Sequence, residues 1–311
     1  MTRQRTIKMP VSGSGIGLHS GNRVDIRILP ASVNTGIVFR RIDLKPQVDI
    51  PARADWVRDT MLCTALVNPQ GIRVATIEHL MSALAGLGVD NVIIELNAAE
   101  VPIMDGSAAP FVYLLQKAGI QAQDAARKFI AVHETVEVRD GDKWARIIPF
   151  NGMRFDFRID FDHPVFRNRN KHARLDVDAE SYVRHISRAR TFGFLKDIEY
   201  LHSNGLALGG SLDNAVVVDD YRIMNEQGLR YDDEFVRHKL LDAMGDLYLA
   251  GAPILGWYMG YKSGHDLNNK LCLALLEARA SWAWKELDEE DQAKDATVGN
   301  AVGNTLLGGS F

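Results

Sequence analysis

His238 and Asp242 stand four residues apart in the run Arg237-His238-Lys239-Leu240-Leu241-Asp242-Ala243-Met244-Gly245-Asp246. On a helix, residues at that spacing project from neighbouring points of one face, so His238, Asp242 and Asp246 form a stripe. A neutral imidazole and a carboxylate so placed can ligate one Zn²⁺ at about 2.0–2.2 Å, with a third ligand from elsewhere and a water in the fourth position. The same spacing also suits the solvated face of an amphipathic helix. Glu78-His79 puts a second imidazole beside a carboxylate in another helical segment and makes His79 the candidate third ligand, although a helical His is often only a packed residue. Neither H-E-x-x-H nor H-x-x-E-H occurs there, since Ala75 occupies the position where the second pattern needs His, which argues against a zincin-type protease. Lys262-Ser263-Gly264-His265 precedes a helix, where an exposed His can act as a proton donor or simply cap. A helix N-terminus lowers a His pKa, so a carboxylate such as Asp246 is needed to keep His265 protonated.

The elements that must carry these residues follow from periodicity. Val24 to Leu29 alternates polar and apolar residues and Ile37 to Phe39 follows the turn Asn34-Thr35-Gly36, which reads as a hairpin. A helix over Thr76 to Ala85 ends at Gly86, and the small residues Ser82, Ala83 and Gly86 on the His79 face would allow close approach of another backbone. A strand from Asn91 to Leu96 and a helix from Pro110 to Ala118 follow. The order returns in the second half as a helix over Glu234 to Ala250, a strand over Ile254 to Tyr261 and a helix over Asn268 to Ala280. A polar stretch at Gln121 to Arg127 separates the halves, before a strand-like Phe129 to Val138. Gly13-x-Gly15-x-Gly17 lacks the strand-to-helix context of a dinucleotide fingerprint and reads as a hairpin turn. The segment from Thr191 to Asp220 has no counterpart in the first half and reads as an insertion that can carry specificity.

With 311 residues and 46% hydrophobic content the chain can bury a sizeable core in one large or two ordinary domains. A net charge of −4 offers no general attraction to nucleic acid or anionic membrane, so any phosphate recognition must come from a few placed Lys or Arg residues. No apolar run is long enough to span a bilayer and no secretory signal opens the chain, which gives a cytoplasmic expectation. Cys63 and Cys272 are too few for a disulfide framework or a Cys-rich zinc ribbon.

Five motifs, in order, carry a resemblance: Thr76-Ile-Glu-His-Leu, Pro102-Ile-Met-Asp-Gly-Ser-Ala-Ala-Pro-Phe, Ser187-Arg-Ala-Arg-Thr-Phe-Gly-Phe, His238-Lys-Leu-Leu-Asp and Lys262-Ser-Gly-His. From about Arg5 to about Ala280 the chain resembles the UDP-3-O-acyl-N-acetylglucosamine deacetylases. The resemblance implies an α+β fold: a two-domain sandwich of duplicated sheet-plus-two-helix units, helices packed between the sheets, with an insertion in each domain. The domains are expected at 1–126 and 127–285, with an acyl-channel insertion at about 193–220 and a flexible tail over 286–311. It further implies a monomeric Gram-negative enzyme of lipid A biosynthesis that hydrolyses the N-acetyl group of its UDP-sugar substrate, without a nucleic acid partner or an integral membrane segment.

Residue by residue, the resemblance makes His79, His238 and Asp242 the ligands of one catalytic Zn²⁺. Glu78 becomes the general base, His265 the general acid, Asp246 the group that holds His265, and Thr191 the oxyanion-stabilising hydroxyl. Lys239 and Lys262 are implied pyrophosphate partners, and Phe161 and Phe192 implied contacts to the substrate. Leu195, Ile198, Gly210, Leu212 and Val217 are implied to line an acyl channel, and Cys63 to lie near the metal without ligating it. A small buried strand pair is the other reading of that insertion, and the two are not exclusive. Asp266, where the family usually has a small residue, would raise the pKa of His265 or displace it. A zinc amidase for another N-acyl sugar and a non-enzymatic nucleotide-sugar-binding protein are the competing readings; structural zinc is disfavoured because it normally takes four protein ligands.

Overall fold

A computed structural model describes residues 2–287. Its two principal sheets have five and seven strands, of which ten form a repeated pattern and are labelled here β1 (Val11–Ile16), β2 (Arg23–Pro30), β3 (Ile37–Arg41), β4 (Val48–Pro51), β5 (Val92–Leu96), β6 (Val136–Asp140), β7 (Lys143–Ile148), β8 (Met153–Arg158), β9 (His172–Asp176) and β10 (Ile254–Tyr261). The helices are α1 (Glu78–Leu87), α2 (Ala109–Ala118), α3 (Ala179–His185), α4 (Leu195–Ser203), α5 (Glu234–Leu247) and α6 (His265–Glu277).

The first sheet has the order β1-β2-β5-β3-β4, antiparallel throughout except that β5 and β3 run parallel. The second repeats it as β6-β7-β10-β8-β9, with β10 and β8 parallel, and adds Lys128–Val132, parallel to the start of β10, and Trp282–Glu286 beside that strand. The recurrence of α1-β5-α2 as α5-β10-α6 is therefore a duplication of topology as well as of element order. Each sheet has one alternating apolar face, such as Val24, Ile26 and Ile28 of β2 and Ala145 and Ile147 of β7, which joins helix residues in a continuous core. Helix α1 packs against α5 across the two halves, while α2 lies beside α1 and α6 beside α5. The α+β sandwich expected from the resemblance is the observed class.

Several local expectations are corrected. β2 and β3 do not form a hairpin: β5 lies between them, antiparallel to one and parallel to the other. Its run Val-Ile-Ile-Glu-Leu, buried at every other position, competes better for the sheet centre than a direct turn does. Gly13 and Gly15 form no turn but lie inside β1, where a Cβ would come 3.1 Å from Leu114 and 3.0 Å from Pro102 respectively. Small residues are needed there because the loop after β5 and helix α2 press on the strand. Helix α1 ends at Gly88, whose φ of 67° makes the left-handed cap, whereas Gly86 is inside the helix. The apolar stretch Phe129 to Val138 divides into Lys128–Val132 and β6. Helix α6 begins at His265, three residues before the expected Asn268, and ends at Glu277.

A three-stranded sheet of Val57–Asp59, Ala65–Val67 and Arg73–Val74 precedes α1. In the second half, Phe192–Phe194, α4 and Val216–Val218 make a small β-α-β unit with parallel strands. The strand Trp282–Glu286 pairs with Lys128–Val132, so the chain is still in the sheet where the tail was expected to start; the rest of that segment, from residue 288, lies outside the described residues. Among the described residues no helix is long and apolar enough to cross a membrane.

Candidate metal centre and active site

Helices α1 and α5 bring Glu78, His79, His238, Asp242 and Asp246 to one buried junction, and α6 adds His265 from its first turn. The crossing depends on Gly245, where a Cβ would stand 2.1 Å from the backbone oxygen of Glu78. The small residues expected to provide that approach serve another: the ring of Tyr182 occupies the space beside Gly86, and its hydroxyl donates to Ser82 Oγ at 3.0 Å.

His79, His238 and Asp242 present ligand atoms that all lie within 4.8 Å of one another. Both imidazole Nε2 atoms face the same carboxylate oxygen, Asp242 Oδ1, at 3.6 Å from His79 and 3.3 Å from His238. That oxygen is buried and has no hydrogen-bond partner. Buried acceptors are seldom left this way, and an orphan oxygen facing two ring nitrogens fits a cation. His238 Nδ1 donates to the carbonyl of Ala189 at 3.0 Å, which assigns the proton to Nδ1 and leaves Nε2 free to ligate. Burial, more than the opposing pull of Asp242, lowers the His238 pKa to about 3, so its ring is neutral at physiological pH. The donor set of two imidazoles and one carboxylate is the kind that leaves a fourth position open on zinc. Asp242 Oδ2 accepts from Lys239 Nζ at 2.6 Å.

Thr64 connects Glu78 to Asp246 and, through it, to His265. Its amide donates to Glu78 Oε2 at 3.0 Å and its hydroxyl to Asp246 Oδ1 at 2.6 Å. Asp246 Oδ2 accepts from His265 Nδ1 at 3.0 Å and from Asn268 Nδ2 at 2.9 Å. Asn268 is itself oriented by the hydroxyls of Tyr258 and Ser263, which donate to its Oδ1 at 2.8 and 2.6 Å. Burial raises the Glu78 pKa, with His265 and His79 opposing. For His265 burial acts downward, but the charge and hydrogen bond of Asp246, with Glu78 and Asp242 behind it, prevail and raise the pKa to about 9. The site thus joins a carboxylate with one free oxygen to a protonated imidazole, the pairing that divides base and acid work. Thr76 and Lys262, in the turns entering α1 and α6, hold φ values of 57° and 54°, backbone strain of the kind concentrated at functional sites.

Thr191 has its backbone clamped, its amide donating to Gly106 and its carbonyl accepting from Val216, both at 2.8 Å. Lys262 Nζ donates to Asp142 at 2.6 Å. Phe161 and Phe192 meet edge to face at 5.7 Å, and Phe192 continues to Phe235 at 5.0 Å and His238 at 6.4 Å, so the aromatic cluster reaches the candidate ligands. In the insertion, Leu195 and Leu212 are 41% and 47% exposed, Ile198 and Val217 are half-buried, Gly210 is exposed, and no residue of α4 is buried. Its strands do form the small pair that was the alternative reading. Cys63 is buried in a small cluster with Ala65 and Ala75, and burial, helped by Glu78, pushes its thiol up to about 12, which makes it a poor nucleophile. The expected influence of Asp266 on His265 is not observed: Asp266 is exposed and pairs with Lys270 at 2.7 Å.

Thr64, Gly245 and Asn268 went unread in the sequence. Gly245 carried the clearest signal, a glycine inside a helix next to a candidate catalytic Asp, which normally marks a close approach. Asn268 carried a weaker one, three residues from His265 on the same helical face.

A family model described as UDP-3-O-acyl N-acetylglycosamine deacetylase matches residues 4–277. Three similar relatives are each named UDP-3-O-acyl-N-acetylglucosamine deacetylase. That of Idiomarina loihiensis is 58% identical over 290 residues, covering 93% of this chain and 95% of the relative. That of Haemophilus influenzae is 57% identical over 301 residues, covering 97% and 99%. That of Mannheimia succiniciproducens is 60% identical over 292 residues, covering 94% and 96%.

Proposed function

Since the chain belongs to the UDP-3-O-acyl N-acetylglycosamine deacetylase family, we propose that it hydrolyses the N-acetyl group of UDP-3-O-[(3R)-3-hydroxyacyl]-N-acetylglucosamine, a step of lipid A biosynthesis. The products are the free amine and acetate. The single observation that carries this reading is the partnerless Asp242 Oδ1 facing two imidazole nitrogens, with Glu78 and His265 on the neighbouring helices. The unit at 1–126 contributes Cys63, Thr64, Glu78 and His79; the unit at 127–285 contributes the other residues of the scheme. The buried, unpaired cysteines suit a reducing cytoplasm, and nothing in the scheme requires more than a monomer.

His79, His238 and Asp242 would hold one Zn²⁺, which when bound supplies Lewis acidity and a water acidic near neutrality. Thr64 fixes Glu78 through Oε2, leaving Oε1 to take a proton from water as the oxygen adds to the acetyl carbonyl carbon. The hydroxyl of Thr191 stabilises the developing oxyanion. His265, oriented through Nδ1 by Asp246, donates its Nε2 proton to the leaving nitrogen as the C–N bond breaks. Lys239 and Lys262 neutralise the pyrophosphate, exchanging Asp242 and Asp142 for phosphate oxygens. Phe161 and Phe192 contact the substrate, with Cys63 behind the metal. Leu195, Ile198, Gly210, Leu212 and Val217 line the path of the acyl chain.

Acetate release from this substrate, measured on chelated, zinc-restored and Glu78→Ala protein, tests the reading. Zinc-dependent release that collapses in the variant is expected. Folded, zinc-loaded wild type that releases no acetate across several acyl lengths would refute the assignment and favour a binding protein. Release from other N-acyl sugars alone would make it a different zinc amidase.

A further inference from the structure

The second sheet turns one face, with Ala145, Ile147, Phe157 and Tyr258, toward the core, and alternate residues point the opposite way. On that outer face lies a hollow of about 480 Å³. Met259 of β10 lies at its centre, opposite Arg146 of β7 on one side and Asp156 of β8 on the other; the adjoining row is Trp144, Tyr261 and Arg158.

The charges around it do not balance. Asp156 is fully engaged, Oδ1 with His172 Nε2 at 2.7 Å and Oδ2 with Arg174 Nε at 2.8 Å. Glu137 takes a hydrogen bond from Arg139 and makes an ion pair with Arg146 Nη1 at 3.6 Å, too long for a hydrogen bond. Arg146 Nε is buried without a partner. Among the described residues the exposed guanidinium of Arg158 has neither a hydrogen bond nor an ion pair. Arg146 stacks over the Trp144 ring at 4.6 Å, and Lys262 sits over Tyr261 at 5.7 Å, so the aromatic surface is already engaged by cations. The carboxylates of the hollow are already engaged, and what it lacks is an acceptor for Arg146 Nε and for Arg158.

We propose that this hollow is a second ligand site, which takes a small phosphate-bearing molecule whose oxygens accept from Arg146 and Arg158. Two guanidinium groups on strands either side of β10 approach from different directions, and a tetrahedral phosphate offers acceptors to both, whereas a planar carboxylate pairs best with a single fork. The volume is that of a small-molecule site. In a chain of net charge −4 this concentration of cations is local. The hollow faces away from α5 and α6, which carry Asp242 and His265, so the inference does not depend on the proposed deacetylation.

Isothermal titration of the zinc-loaded protein with fructose 1,6-bisphosphate and with inorganic phosphate at low salt tests it. Wild type is expected to bind the bisphosphate, weakening as salt rises, with at least tenfold loss in Arg146→Gln/Arg158→Gln and unchanged acetate release. Arg158→Gln alone removes a side chain with no structural partner and is expected to show loss without change in thermal midpoint. Full-strength binding in both variants would place the phosphate elsewhere and overturn the proposal. Equal affinity for citrate would overturn the phosphate assignment. Arginine-dependent sedimentation with phosphatidylglycerol vesicles, without binding of either soluble phosphate, would make the face a bilayer contact instead.

Discussion

Gly245 lies directly against the backbone of Glu78, with 2.1 Å between the Glu78 oxygen and the position a Cβ would take. This contact sets the separation of α1 and α5, and thereby the distance from His79 to His238 and Asp242. Gly245→Ala must push the helices apart or bend one, because the obstacle is backbone and cannot swing away. Overpacking of this kind costs about 1–3 kcal/mol, and the thermal midpoint should fall by several degrees. Zinc affinity should fall with it, as read by competition with a chelator. A variant with wild-type stability and zinc affinity would show that the crossing is not constrained here.

Glu78→Gln retains the shape of the proposed base but not its basicity. A loss of roughly 10²–10⁴ in kcat is expected, the usual contribution of a general base, with zinc content unchanged. Loss of the metal along with activity would instead make Glu78 a structural support for the centre.

The pH profile should be bell-shaped. On its acid side activity falls as Glu78, whose pKa is raised by burial, takes up a proton. On its alkaline side it falls as His265 loses its proton near its raised value of about 9. Burial pulls His265 down and Asp246 lifts it, so Asp246→Asn should move the alkaline limb to lower pH. An alkaline limb that stays in place would assign it to another group.

Stability should decline at high pH. Cys272 is buried and its thiol is pushed from 9.0 up to about 12, by burial first and Asp246 second. Between those values the unfolded chain binds fewer protons than the folded one, so the stability slope with pH is negative. Melting curves between pH 8 and 11 should show the decline, and Cys272→Ala, though less stable at neutral pH, should show a shallower one. An unaltered slope would assign the decline to Cys63 and the buried tyrosines.

Glu234, completely buried at the start of α5, accepts from the amide, Nε and Nη2 of Arg190 and from the amide of Arg230. Glu234→Ala leaves a buried guanidinium without its partner, a loss of about 3–5 kcal/mol, to be read from urea unfolding. A change below 1 kcal/mol would mean that water replaces the carboxylate.

Periodicity and spacing determined much of this protein. The helix stripe of His238, Asp242 and Asp246, the neighbouring pair Glu78 and His79, the exact span of β10 and the repeated helix-strand-helix order are local features, because helix geometry acts over four residues and strand alternation over two. The place of β5 between β2 and β3, the cap at Gly88 in place of Gly86, and the first turn of α6 at His265 were decided by tertiary structure. In each case local propensity allowed more than one solution, and packing against a distant segment selected between them. The joining of the two halves was decided the same way. Gly245 against Glu78, Thr64 against Asp246, and Asn268 against Asp246 are contacts between residues 167, 182 and 22 positions apart, and no local pattern encodes which distant partner a glycine or a threonine will meet.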